Sequence, residues 1–239
     1  MNTVRDNGVG MARSVVRGRQ KMTPAEALVE TLIAQGVTDV FGIVGSAYMD
    51  ALDLFPLAGI RFISVAHEQG AGHMADGYAR ASGRHGVCIA QNGPGVTNFV
   101  TSTAAAYWAH SPVVVVTPET GSATLGLGGF QETEQLPIFS RITKYQAHVN
   151  NRTRMAELTS RAFDRALLLM GPTQVNIPRD FFYGDIDCEI PRPVAIERAV
   201  HQAVRAFDLI VRAVGIMHRF VPADRKDPEW GILWSYRNG

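Results

Sequence analysis

Between residues 37 and 177, short apolar runs of strand length alternate with stretches of helix length, and this alternation constrains the fold most. Residues 37–43, 60–65, 86–90, 113–116 and 173–177 read as strands. Residues 47–55, 68–81, 94–109 and 155–170 read as helices. An earlier helix opens on Thr23-Pro24-Ala25-Glu26, a capping box with proline in the first turn, and closes near Gly36. The unbroken run Val113-Val114-Val115-Val116 suits a strand covered on both faces. The pattern implies an α/β fold, a mostly parallel sheet flanked by helices. Such sheets bind ligands at the carboxyl ends of their strands, so candidate sites belong at the strand-to-helix turns.

Composition excludes several classes. With 46% hydrophobic and 19% charged residues the chain is no disordered polyelectrolyte, and a net charge of +1 gives no pull toward nucleic acid or anionic membrane. Cys88 and Cys188 lack metal-ligand spacing, so no disulfide framework or structural zinc is expected, and a reducing cytoplasm suits the chain. No apolar stretch is long enough to span a bilayer. Residues 1–21 are arginine-rich without an apolar region and read as a disordered extension. After about Pro193 the character changes: residues 195–217 read as one helix, and the segment with Trp230 and Trp234 as irregular.

Three turns carry candidate chemistry. His67-Glu68 follows a strand and opens a helix, where the helix dipole favours the carboxylate form and apolar neighbours would favour the protonated one. Gln91-Asn92-Gly93-Pro94-Gly95-Val96-Thr97-Asn98 sets glycines around a helix-opening proline, so backbone N–H groups can approach a ligand. Gly126-Leu127-Gly128-Gly129-Phe130-Gln131-Glu132 reads as a mobile loop from which Gln131 can reach a ligand. Gly70-x-Gly72-x-x-Ala75 also fits a relaxed dinucleotide fingerprint. Its glycines come late after the strand, and the next strand ends in Gln91-Asn92 without an acid for a ribose. An oxidoreductase is therefore disfavoured. The histidines, His85, His110 and His148 among them, read as surface or internally satisfied groups.

In this order the turns resemble the pyrimidine-binding (PYR) domain of thiamine diphosphate enzymes of the acetolactate synthase superfamily. The resemblance rests on Val40-Phe41-Gly42-Ile43-Val44-Gly45, His67-Glu68, Ala75-Asp76-Gly77-Tyr78-Ala79-Arg80, Asn92-Gly93-Pro94-Gly95-Val96-Thr97-Asn98, Gly129-Phe130-Gln131-Glu132 and Pro178-Arg179-Asp180. It covers residues 22–193, leaving 1–21 and 194–239 unmatched. Met74-Ala75-Asp76-Gly77, Ile89-Ala90-Gln91-Asn92 and Ala106-Tyr107-Trp108-Ala109-His110-Ser111-Pro112 look most like the sulfoacetaldehyde acetyltransferase branch, with acetolactate synthases as the nearest rival.

The resemblance implies a thiamine diphosphate-dependent acyltransferase that converts sulfoacetaldehyde and phosphate to acetyl phosphate and sulfite. It implies Glu68 as the carboxyl group on the cofactor's aminopyrimidine and Gln131 on the substrate side. Gly42, Gly45, Asn92, Gly93, Pro94 and Asn98 would join Glu68 in binding the pyrimidine half of the cofactor. Mg2+ and the diphosphate would be held by a pyrophosphate-binding (PP) domain, whose Gly-Asp-Gly sequence does not occur here. The chain is thus expected to be inactive alone, to need a PP domain of another chain or of a full-length enzyme, and to belong to a homo-oligomer in the intact family. A non-catalytic interaction module of the same fold stays open beside this reading.

Overall fold

The computed structural model describes residues 18–194. The expected helix over 195–217, the tail with Trp230 and Trp234, and most of the 1–21 extension lie outside the described residues.

A six-stranded parallel sheet forms the middle layer. Its strands are β2 (Asp39–Gly42), β3 (Arg61–Ser64), β4 (Gly86–Ile89), β5 (Val113–Glu119), β6 (Tyr145–His148) and β7 (Thr173–Pro178), in the order β3-β2-β4-β5-β7-β6. β1 (Gln20–Met22) pairs antiparallel with β8 (Ile186–Cys188) in a separate ribbon. Gln20 and Lys21, assigned from sequence to the extension, are therefore in a strand; their partner lies far along the chain, which local pattern cannot reveal.

The helices are α1 (Pro24–Ala34), α2 (Met49–Leu52), α3 (Glu68–Ser82), α4 (Pro94–Thr97), α5 (Val100–Trp108), α6 (Gln135–Phe139) and α7 (Met155–Leu168). α1 starts with the expected capping box: the Thr23 hydroxyl accepts the Glu26 N–H at 3.1 Å, and the Glu26 carboxylate accepts the Thr23 N–H at 2.6 Å. Two cores form on opposite faces of the sheet, because successive strand side chains point opposite ways. Val40, Val87, Ile89, Val114 and Val116 join Leu28, Leu32 and Phe163 in one core. Phe41, Cys88, Val113 and Val115 join Ala71, Ala75 and Phe99 in the other. The whole of β5 is buried, as its β-branched run implies.

Two expected helices are shorter than their patterns suggest. The segment 47–55 is regular only over α2; after it, Leu54 and Phe55 donate to carbonyls three residues back. Pro56 bars continuation and disfavours helical geometry in the residue before it. The segment 94–109 divides into α4 and α5. Asn98 and Phe99 have ψ of −13° and −10°, and the Phe99 N–H bonds three residues back to Val96. This tight turn buries Phe99 completely and turns Asn98 toward Glu68.

The site is placed by topology. From β2 the chain moves outward to β3 and returns across β2 to β4, so the loops after β2 and β4 diverge. A crevice at such a switch point is where open parallel sheets take ligands.

Candidate functional site

Three loops meet at this crevice: residues 43–48 after β2, 90–93 after β4 and 120–134 after β5. Gln91 holds them together. Its Oε1 accepts the Ala47 N–H at 3.0 Å, and its Nε2 donates to Asn92 Oδ1 at 2.6 Å and Gln131 Oε1 at 3.2 Å. Gly45 makes room, since a Cβ there would stand 2.5 Å from Gln91 Oε1. Gly42 serves the sheet itself: its Cβ would meet the Ile89 carbonyl. Asn92 donates through Nδ2 to the carbonyls of Phe130 at 3.0 Å and Gln131 at 3.2 Å, stitching the second loop to the third.

Gly93 has φ +68° and ψ −112°, and a Cβ on it would strike the Gln131 carbonyl. Only glycine meets both demands without strain. Pro94 then opens α4, its missing N–H costing nothing in a first turn. Gln131 is also left-handed, with φ +56°.

Glu68 is the first residue of α3, after His67 as N-cap, whose Nδ1 accepts the Gln69 N–H at 3.2 Å. Glu68 is half-buried. Its Oε2 accepts from Asn98 Nδ2 at 2.9 Å. Among the described residues, no hydrogen bond reaches Oε1. That oxygen stands beside Gly95, where a Cβ would come within 3.2 Å of it and 3.5 Å of the Gln91 Cβ. Tyr48 lies within reach of the same charge. Burial, and then the Glu68 carboxylate, push its phenol well above the ordinary value, and its hydroxyl donates to the Ile43 carbonyl.

The structure therefore brings together Glu68, Asn98, Asn92, Gly93, Pro94 and Gln131, with Gly45 at the edge. Gly42 sits one layer back, in the sheet. The arrangement offers a carboxylate with one oxygen oriented by an amide and the other free for a ring nitrogen. The donor set suits an aminopyrimidine. Among the described residues no three His, Cys, Asp or Glu side chains converge.

The third loop differs from the mobile segment expected of so much glycine. The Glu132 carboxylate accepts the N–H groups of Gly126 and Gly129, which hold it below the usual carboxylate range. Asp180 accepts the Ser122 N–H at 2.7 Å and its hydroxyl at 2.6 Å. Glu132 closes the glycine-rich stretch itself, whereas Asp180 is 58 residues from Ser122, so local pattern hides the second anchor. Leu127 (78%), Phe130 (74%) and Val44 (54%) stand exposed on these loops.

Of the two glycines in the dinucleotide-like pattern, Gly70 is exposed with nothing within 4 Å of a Cβ, and Gly72 packs helices instead. A Cβ on Gly72 would stand 2.0 Å from Ser102 Oγ, where α3 crosses α5. Sequence reasoning missed Gln91 as the loop hub, and Gln135, Asn176, Glu119 and His148 behind the site. Glu119 offered one signal, a carboxylate ending a strand. His148 is not a free surface group: its Nε2 meets Glu119 Oε1 at 2.6 Å, and this bond raises its pKa above the ordinary value.

Comparison with known proteins agrees with the geometry. Residues 22–138 match the family described as thiamine pyrophosphate enzyme, N-terminal TPP binding domain. The chain is 68% identical over 186 residues to sulfoacetaldehyde acetyltransferase of Alcaligenes xylosoxydans xylosoxydans, covering 78% of this chain and 31% of that protein. It is 64% identical to sulfoacetaldehyde acetyltransferase of Castellaniella defragrans over the same shares. A probable acetolactate synthase large subunit of Methanocaldococcus jannaschii is 38% identical over 178 residues, 74% of this chain and 30% of that protein. The chain thus spans about a third of the length of the curated relatives it matches. No helix among the described residues is long and apolar enough to cross a membrane. A free carboxylate oxygen at the switch point, glycine-shaped loops around it and a matched family model converge: residues 22–138 of this chain form an N-terminal TPP binding domain of the thiamine pyrophosphate enzyme type.

Proposed function

We propose that this chain supplies the pyrimidine-binding half of a cytoplasmic thiamine diphosphate enzyme that forms acetyl phosphate and sulfite from sulfoacetaldehyde and phosphate. The observation that carries the reading is Glu68, with Oε2 oriented by Asn98 and Oε1 free beside Gly95. The bound cofactor supplies a carbon nucleophile at its thiazolium ring. Glu68 Oε1 would hydrogen-bond the cofactor's aminopyrimidine ring and could hold or exchange a proton there. Asn98 fixes the carboxylate plane. Gly93 and Pro94 shape the pyrimidine wall, while Gln131 faces the substrate. The high identity to sulfoacetaldehyde acetyltransferases favours this substrate over those of acetolactate synthases.

Mg2+ and the diphosphate fall to a PP domain, in another chain or in a full-length enzyme. The exposed Val44, Leu127 and Phe130 give that domain an apolar surface to cover, within a homo-oligomer. Calorimetry tests the reading. Thiamine diphosphate with Mg2+ should bind the isolated chain weakly or undetectably, and adding a PP domain from a relative should restore binding and acetyl phosphate formation. Micromolar affinity for the isolated chain, or no recovery with a PP domain, contradicts it.

A further inference from the structure

Behind the site runs a polar network that the proposed chemistry does not use. Gln135 opens α6 and is 1% exposed. Its Oε1 accepts the Gly93 N–H at 2.9 Å; its Nε2 donates to the Pro118 carbonyl at 2.9 Å and to Asn176 Oδ1 at 2.8 Å. Asn176 Oδ1 also accepts the Thr117 hydroxyl at 2.9 Å, and its Nδ2 donates to Glu119. One side chain thereby ties the turn after β4 to the buried ends of β5 and β7.

The turn it holds is unusual. No side chain caps α4, and the Gln131 carbonyl occupies the place of a Cβ on one side of Gly93. On the other side the Gly93 N–H points into protein, where a lost partner would leave a buried donor unsatisfied. Holding it needs an acceptor toward Gly93 and donors toward Pro118 and Asn176. A planar amide carries both; an ionised carboxylate lacks the donors and a thioether has only a weak acceptor.

We propose that Gln135 is a positioning residue for the cofactor pocket: by taking the Gly93 N–H it sets the Asn92–Gly93 peptide, and with it the direction of α4 that brings Gly95 and Asn98 to Glu68. The proposal deepens the reading of the pocket and rests on it, but its test needs no bound cofactor. Amide hydrogen exchange is measured by NMR on the full chain as wild type, Gln135→Met and Gln135→Glu. The Gly93 amide should be protected in the wild type. In Gln135→Met its exchange should rise roughly tenfold to a hundredfold, while Val115 and Val175 in the central strands keep their rates. Gln135→Glu keeps an acceptor but lacks the donors to Pro118 and Asn176, so its protection should fall between those of the wild type and Gln135→Met.

An unprotected Gly93 amide in the wild type overturns the proposal, and that measurement stands even if Gln135→Met does not fold. Loss of protection spread evenly over β5, β7 and α6 also overturns it, since it marks a general core residue. Thiamine diphosphate with Mg2+ and a relative's PP domain is then added as a separate arm. If the wild-type Gly93 and Asn98 signals do not respond there, the proposed function fails; the exchange comparison, made without cofactor, still decides the role of Gln135.

Discussion

Two carboxylates end strand-to-loop junctions on the same edge of the sheet, and they are held in opposite ways. Glu119, at the end of β5, is 7% exposed, and both its oxygens have partners, Asn176 on one and His148 on the other. Glu68, after β3, is half-buried; Asn98 takes one oxygen and the other is free among the described residues. A buried acid with both oxygens committed is fixed in place and contributes to stability. An acid with one oriented and one open oxygen can exchange a proton with a ligand. Partner saturation, rather than position on the sheet, separates the two.

The sharpest way to break the comparison is to neutralise each acid in turn. Glu68→Gln, in an enzyme completed with a PP domain, should lower acetyl phosphate formation by about 10³-fold, roughly 4 kcal/mol of transition-state stabilisation. Its urea midpoint should stay near wild type. Near-normal turnover would remove Glu68 from the mechanism. Glu119→Ala should do the reverse. It strands Asn176 and His148 and should cost about 3 kcal/mol of folding stability by urea titration; a loss below about 0.5 kcal/mol would contradict the structural role.

Acid sharpens the contrast once a separate group is accounted for. His85 is buried, its Nε2 2.9 Å from the Phe163 carbonyl and its ring edge-on to the Phe163 ring; burial lowers its pKa to about 4. Unfolded, it titrates near the ordinary value of about 6.5, so between these two values the unfolded chain binds more protons. Stability from His85 is thus present above pH ~6.5 and lost as pH falls toward 4, by up to about 3 kcal/mol. His85→Gln should flatten that part of the stability curve; an unchanged slope would reject the assignment. The smallest effect belongs to His148. Its raised pKa makes its contribution full below pH ~6.5 and lost as pH rises through the folded value. His148→Gln should therefore destabilise more at pH 6 than at pH 9, by a fraction of 1 kcal/mol because the ring is partly exposed. A larger loss at pH 9 would reverse the assignment.

Much of the scaffold was legible from local pattern. The capping box at Thr23, the unbroken valines of β5 and the helix beginning at Glu68 each follow from neighbours a few residues apart. The edge strand β6 was missed because Tyr145–His148 is only partly buried and mixes polar with apolar residues. The break at Asn98 was missed because nothing in the helical periodicity demands it. At the site, the turns that bear Glu68, Gly93 and Gln131 were legible as motifs. The side chains that hold them were not: Gln135 lies 42 positions from Gly93, and Asn176 a further 41 from Gln135.

By itself the sequence determined the layered α/β scaffold, the carboxylate at a helix start and the glycines that let loops approach, because these depend on periodicity and on backbone chemistry within a turn or two. Tertiary structure alone decided which oxygen of Glu68 stays open, that Asp180 pins the loop after β5 at Ser122, and that Gln135 grips Gly93 from behind. Hydrogen-bond partners are chosen in space, after the sheet has brought distant segments together, and a linear pattern carries no record of that choice.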